Sequence, residues 1–281
     1  MSHNFKRQVK QIRCEVFQQM LKSRRRKYRV FLFFLHLFKF ASFSPKRGEF
    51  LETYYAIMRL LDDIVDGDAP LPHNYNSEYD YIQEKIDFVE NPNAPSDKIE
   101  ILLQYCFHLS ELMGKNFYSE TIDILKSLQF DAIRRRKYTI YPNIEINEHF
   151  YIMDIRGTIR ATLKIFNEEP NKYELLKPLG MACRYQSDIE DFQEDLKAGY
   201  INISQEECRH FCITFEDMIH QTNGLQKWIK NRAISGLELL SKHRKNIEDG
   251  NFSFLSKLTF YLVYELPAKR AFKKAIKSRK K

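Results

Sequence analysis

Apolar residues recur at intervals of three and four along most of the chain, the period of a helix that turns one face to a core. Between Gly48 and Gly67, the residues Leu51, Tyr54, Tyr55, Met58, Leu61 and Val65 form one such stripe, which Gly67, Ala69-Pro70 and Pro72 then stop. Comparable stripes run through 76–90, 98–112, 116–136, 146–166, 172–198, 214–246 and 252–276. Breakers fall between them, among them Pro92 and Pro95, Pro142, Pro170, Gly199 and Gly250. No alternating run between turn signals predicts a sheet. The expectation is an all-α protein, one domain of eight helices or more.

Composition narrows what such a bundle can do. Glycine is 9 of 281 residues, and neither phosphate-cradling glycine signature occurs. Aromatic residues make up 14% of the chain, so much of the core or of a cavity wall is ring surface. The five cysteines are odd in number and scattered, which predicts no disulfide framework and a reducing, cytoplasmic setting. The most apolar run, Val30–Phe43, is interrupted by His36 and Lys39 and is shorter than the roughly 20 residues that cross a bilayer.

The formal charge of +8 is a sum of unlike parts. Residues 1–29 carry a net +9 and residues 269–281 a net +8, leaving the body acidic at −9. A nucleic-acid binder needs a basic face on the folded body, so that class is excluded. The basic segment 1–29 is set apart from a helical domain over 30–281. The two basic ends are either solvated termini or attracted to anionic lipid at a membrane surface.

The acids of the body are concentrated in two clusters. Asp62-Asp63-Ile64-Val65-Asp66 closes one helix, with Asp62 and Asp66 sharing a face at i, i+4. Asp188, Glu190, Asp191, Glu194 and Asp195 close another, where Ser187, Asp191 and Asp195 repeat that spacing. Like charges at i, i+4 repel, and acids in the last turn oppose the helix dipole. Two such clusters make sense as ligands for a hard cation, since Mg²⁺ takes a few carboxylates plus substrate phosphate oxygens. Bound that way, the ion neutralises charge as a diphosphate leaves.

The stretch from Tyr55 to Asp66, Y-x-x-x-R-x-x-D-D-x-x-D, resembles the first motif of the squalene/phytoene synthase family, the head-to-head prenyltransferases. Gly180–Ile203 is similar to the second, with Asp191, Glu194 and Asp195 on its D-x-x-E-D positions and Gly199 on its glycine. Tyr151, Gly157 and Thr158 match the helix between the motifs, and Arg270-Ala271-Phe272 is similar to the closing element. The resemblance implies an isoprenoid-synthase-like bundle around a central cavity, joining two allylic diphosphates through a cyclopropyl intermediate. It implies Mg²⁺ held by Asp62, Asp63, Asp66, Ser187, Asp191 and Asp195, and substrate contacts from Tyr55 and Arg59. It also points Tyr151, Arg156, Arg160, Arg184, Lys197 and Arg270 toward a prenyl diphosphate such as farnesyl or geranylgeranyl diphosphate. No NADPH site is indicated.

The chain departs from the family pattern in identifiable places. Ser187 stands where Asn is expected, Glu190 where Arg, Arg184 where Gln and Asn202 where Tyr; the Ser-x-Ser-Phe element is missing. Arg156 and Arg160 occupy positions where the family has small residues. Two alternatives therefore stand beside condensation: a one-substrate enzyme such as a class I terpene cyclase, and an accessory protein that keeps the fold without catalysis. Arg134-Arg135-Arg136-Lys137 reads as cations suited to a helix C-terminus.

Overall fold

The computed structural model describes residues 1–23, 25–42 and 44–277, with the side chains of residues 23, 25–28, 30, 31 and 152–154 outside the description. The last basic residues of the C-terminal run, 279–281, therefore lie outside it. Every regular element among the described residues is helical. In order these are α1 (His3–Ser23), α2 (Arg25–Ala41), α3 (Pro45–Asp66), α4 (Glu78–Glu90), α5 (Lys98–Leu112), α6 (Tyr118–Arg134) and α7 (Asn143–Asn147). A π-helical segment, Glu148–Ile155, leads into α8 (Arg156–Ile165), followed by a 3₁₀ turn and α9 (Tyr173–Glu190). Then come α10 (Phe192–Ala198), α11 (Gln205–Phe211), α12 (Phe215–His220), α13 (Asn223–Asp249) and α14 (Phe254–Thr259). A second π-helical segment, Phe260–Glu265, precedes α15 (Leu266–Lys277).

The backbone divides into two compact units, Met1–Ala132 with Lys164–Asn167, and Ile133–Leu163 with Glu168–Lys281. In the first, α1 packs an apolar stripe of the basic segment 1–29 against the unit's core. Val9, Ile12, Val16 and Met20 form a helical stripe and are buried. Arg13, also buried, donates to Thr53 Oγ1 at 3.0 Å and lies 3.6 Å from both Glu49 and Glu52 of α3. Burying a guanidinium demands such partners, so part of the N-terminal charge is internal structure. The stripe escapes a sequence reading because charged residues on the opposite face dominate the composition.

Around α3 the first unit stacks Phe50 on Tyr54, with ring centroids 5.3 Å apart, and on Phe117 at 4.2 Å. Lys85 is wholly buried between Glu100 at 2.6 Å and Asp97 at 2.9 Å, its ammonium 4.8 Å from the Tyr81 ring. That network ties α4 to the start of α5, where Asp97 caps the helix.

The second unit is organised on α9 and the 27-residue α13. Phe272 of α15 is buried so close to Gly236 that a Cβ there would lie 2.3 Å from its ring. A separate cluster of Phe192, Leu196, Ile203, Met218 and Leu225 packs around Trp228. The expected stripe over 146–166 is realised as three helical pieces and that over 172–198 as two, because the backbone loosens into π geometry at 148 and breaks at Asp191.

Candidate active site

Each unit carries one acid cluster. In the first, α3 begins with Ser44 capping Pro45-Lys46-Arg47 and ends on Gly67, whose φ of 77° lets its N–H reach Ile64 O. Arg59 Nη1 donates to Asp62 Oδ2 at 2.8 Å, and Nη2 bonds Asp63 Oδ1. The expected substrate contact Arg59 and the expected ligand Asp63 are thus paired with each other, and Asp63 is buried. Loss of hydration raises the Asp62 carboxyl above its ordinary range; Asp66, Asp131 and Asp63 push the same way, and Arg59 opposes them. Tyr55 lies on this helix, one turn before Arg59.

In the second unit the helix that was expected to run unbroken to residue 198 stops at Asp191, whose φ and ψ of −99° and 3° leave helical geometry. Two bonds bridge the break, Asp191 N to Ser187 O at 2.9 Å and Asp195 N to Asp191 O at 2.8 Å. The one-turn spacing of Ser187, Asp191 and Asp195 therefore survives the break. Gly199, at φ 89°, closes α10, and a Cβ there would lie 2.4 Å from Arg136 Cα. The strap 136–138 crosses at that point, with Arg136 N donating to Ala198 O at 2.9 Å and Tyr138 N to Gly199 O at 3.1 Å. Only glycine fits both the left-handed backbone and the close approach.

Burial pushes Asp195 up to about 7, with Asp188 and Asp191 adding to the rise while Arg184 and Arg134 counter it. Its Oδ2 accepts from Asn202 Nδ2 at 2.9 Å, and Asn202 Oδ1 in turn accepts from Arg134 Nη1 at 2.7 Å. Arg134 is buried and sits 4.8 Å over the Tyr200 ring, so it is a core element of this site and not a surface cation at a helix end. Sequence reasoning also missed Arg232 of α13. It reaches the buried Asp188 at 3.3 Å and Glu207 at 3.2 Å, and lies 4.3 Å over Tyr185. The Arg184–Asp188 pair at i, i+4 was visible in the sequence; its third member was not, since 44 residues separate Asp188 from Arg232.

Two cavities flank this network within the second unit. One, of about 220 Å³, is walled by Ile155, Ile159, Leu176, Leu179, Phe260 and Tyr264, with Thr158, Thr162, Arg184 and Ser187 as its polar lining. Burial lifts Cys183 and Tyr264 on its wall to about 12. Both π-helical segments contribute to this wall. The other cavity, about 400 Å³, is polar and lined by Tyr151, Tyr185, Asp188, Glu207, His210 and Arg232.

The remaining expected residues are dispersed. Arg184 Nε holds Asp188 at 2.9 Å with its guanidinium 4.0 Å from the Phe150 ring. Tyr151 opens on the polar cavity and carries the Lys177 ammonium 5.0 Å over its ring. Arg156 and Arg160 are half-buried on α8, one turn apart. Lys197 and Arg270 are exposed.

The donor chemistry fits Mg²⁺. All the candidate ligands are hard oxygen donors, and each cluster holds a carboxyl raised first by burial and further by neighbouring acids. Among the described residues no group of three or more His, Cys, Asp or Glu forms an all-protein cation site.

No protein-family model matches the chain, and no curated protein matches it. Solved structures do. Squalene synthase HpnC from Alicyclobacillus acidocaldarius is similar with a TM-score of 0.70 at 15% identity, over 97% of this chain and 94% of that one. A dehydrosqualene synthase in complex with ligand is similar at TM-score 0.54 and 15% identity, over 96% of each chain. The fold is therefore that of the squalene/phytoene synthase type, all-α and isoprenoid-synthase-like.

Proposed function

We propose that this protein is a Mg²⁺-dependent prenyltransferase that condenses two allylic prenyl diphosphates head to head and releases diphosphate. The observation that carries the proposal is the apolar cavity of the second unit, where two polar lining residues, Arg184 and Ser187, lie on the helix that ends at Asp191. A water-poor chamber for an isoprenoid tail beside carboxylates for a metal-bound diphosphate is the pairing this chemistry needs.

Within this reading each cluster holds ions in its own unit, Asp62 and Asp66 in the first, Ser187, Asp191 and Asp195 in the second. Bound Mg²⁺ would supply Lewis-acid stabilisation of the departing diphosphate. The chain's own residues do the rest. Asn202 and Arg134 orient the Asp195 carboxylate, and Gly199 fixes the turn that sets its direction. Arg59 keeps Asp62 and Asp63 in position at the end of α3, and Arg184 places a guanidinium on the cavity wall. Ile155, Ile159, Phe260 and Tyr264 exclude water from the tail, and the Phe260 and Tyr264 rings offer their faces to developing positive charge.

The test is product analysis with farnesyl and geranylgeranyl diphosphate in the presence of Mg²⁺. Pyrophosphate release with a C30 or C40 product supports condensation. A cyclic C15 or C20 product replaces it with a one-substrate cyclase. No release, with Asp62→Ala indistinguishable from the parent, leaves a fold without catalysis.

A further inference from the structure

One face of α2 exposes large apolar side chains, with His36 among them bonded to Glu52 of α3 at 2.9 Å. Arg29, Phe33, His36, Leu37 and Phe40 are exposed, and at 3.6 residues per turn they fall within about 100° of arc. Phe33 is 62% exposed, Leu37 46% and Phe40 76%. The opposite face, Leu32, Leu35 and Phe38, is buried within the first unit. Hydrophobic burial therefore accounts for half of this helix and leaves three large apolar side chains in water, at consecutive turns.

The surrounding charge identifies what covers them. From Val16 to Gly48 the chain contains nine basic residues and no acid: Lys22, Arg24, Arg25, Arg26, Lys27, Arg29, Lys39, Lys46 and Arg47. A second protein surface would need acids of its own to match this stretch, and the same face of a second copy would bring like charges together. An anionic lipid surface supplies negative charge over its whole area and an apolar layer beneath it. A helix with Phe and Leu exposed on one stripe, in a stretch of sequence rich in basic residues and without an acid of its own, is the pattern that lies in that interface. Among the described residues no helix is long and apolar enough to cross a membrane, so the contact is peripheral.

We infer that the exposed face of α2 docks on an anionic bilayer, with Phe33, Leu37 and Phe40 inserted at the headgroup boundary and the exposed Arg29 held against lipid phosphates. Each basic residue near such a surface contributes about fivefold to partitioning, and each inserted side chain a comparable or larger factor.

The experiment is co-sedimentation of the full chain with vesicles of phosphatidylcholine, with or without phosphatidylserine. Binding is expected to be at least about 10-fold stronger to the anionic vesicles. The triple variant F33S/L37S/F40S should lose at least about 10-fold of that binding at an unchanged melting temperature. A second measurement does not depend on the triple variant folding. Trp228 is the chain's single tryptophan and is 1% exposed, so in Phe40→Trp the new fluorophore reports the stripe. Its emission should shift to the blue and be quenched by brominated phosphatidylserine. The inference fails if the parent chain stays in the supernatant with anionic vesicles, if the folded triple variant binds as well as the parent, or if Phe40→Trp is unquenched in sedimented protein. It fails equally if light scattering shows a parent dimer that the triple variant dissolves while neither binds vesicles.

Discussion

Asn202 donates to the Asp195 carboxylate across 2.9 Å, and through its own carbonyl it ties that carboxylate to the buried Arg134. The acid is thus aimed by a neutral amide with a cation behind it. Removing the amide takes one bond each from the buried Arg134 and the half-buried Asp195. Asn202→Leu should lower stability by about 2 kcal/mol, measured by urea unfolding, and weaken Mg²⁺ affinity in titration calorimetry.

Asp195 also makes the protein's stability depend on pH in a defined direction. Its folded-state pKa of about 7 lies above the ordinary carboxyl value of 3.8, so the folded chain holds this proton more tightly than the unfolded chain does. In the absence of Mg²⁺, that contribution is complete below about pH 4 and is lost as pH rises to about 7, a change on the order of 2 kcal/mol after solvent screening. Asp195→Asn should flatten this slope and raise the melting temperature at pH 8 without metal. Added Mg²⁺ should stabilise the parent more than the variant, which differential scanning fluorimetry reads directly.

Glu168 behaves in the opposite sense. Burial pushes its carboxyl up, but bonds from Lys172, Ser256 and Ser253 prevail and hold it at about 2. Its stabilisation is present above the ordinary value near 4.5 and is lost as pH falls toward 2. Glu168 fastens the start of α14, accepting from Ser253 N at 2.8 Å and Ser256 Oγ at 2.7 Å. Glu168→Gln should cost about 2 kcal/mol at pH 7 in chemical unfolding, and markedly less at pH 3.

Gly199→Ala should be among the most damaging small changes. A Cβ at that position meets the Arg136 backbone at 2.4 Å, and the φ of 89° is itself unfavourable to alanine. A loss of about 3 kcal/mol or more is expected in thermal unfolding. An alanine variant as stable as the parent would show that the strap 136–138 yields freely.

Buried Lys85 should show the asymmetry of ion pairs in a core. Lys85→Met strands Asp97 and Glu100 and should cost about 3–5 kcal/mol in urea unfolding. Combining it with Glu100→Gln should recover part of that loss, because the second change removes one stranded charge.

Sequence by itself determined that the chain is helical and where most helices lie, and it proposed which acids would hold a hard cation. Helical periodicity and acid spacing are local properties, and each is written within one or two turns of chain. The fold type was legible at the same level, through two acid motifs in order. Tertiary structure decided what no local pattern encodes. It placed α1 in the core through Arg13, and brought Arg134 and Arg232 to the network of Asp195 and Asp188. Those relations depend on contacts between residues tens of positions apart, made where burial forces each charge to find a partner. A basic residue destined for the core and one destined for solvent look alike until packing removes the water around one of them.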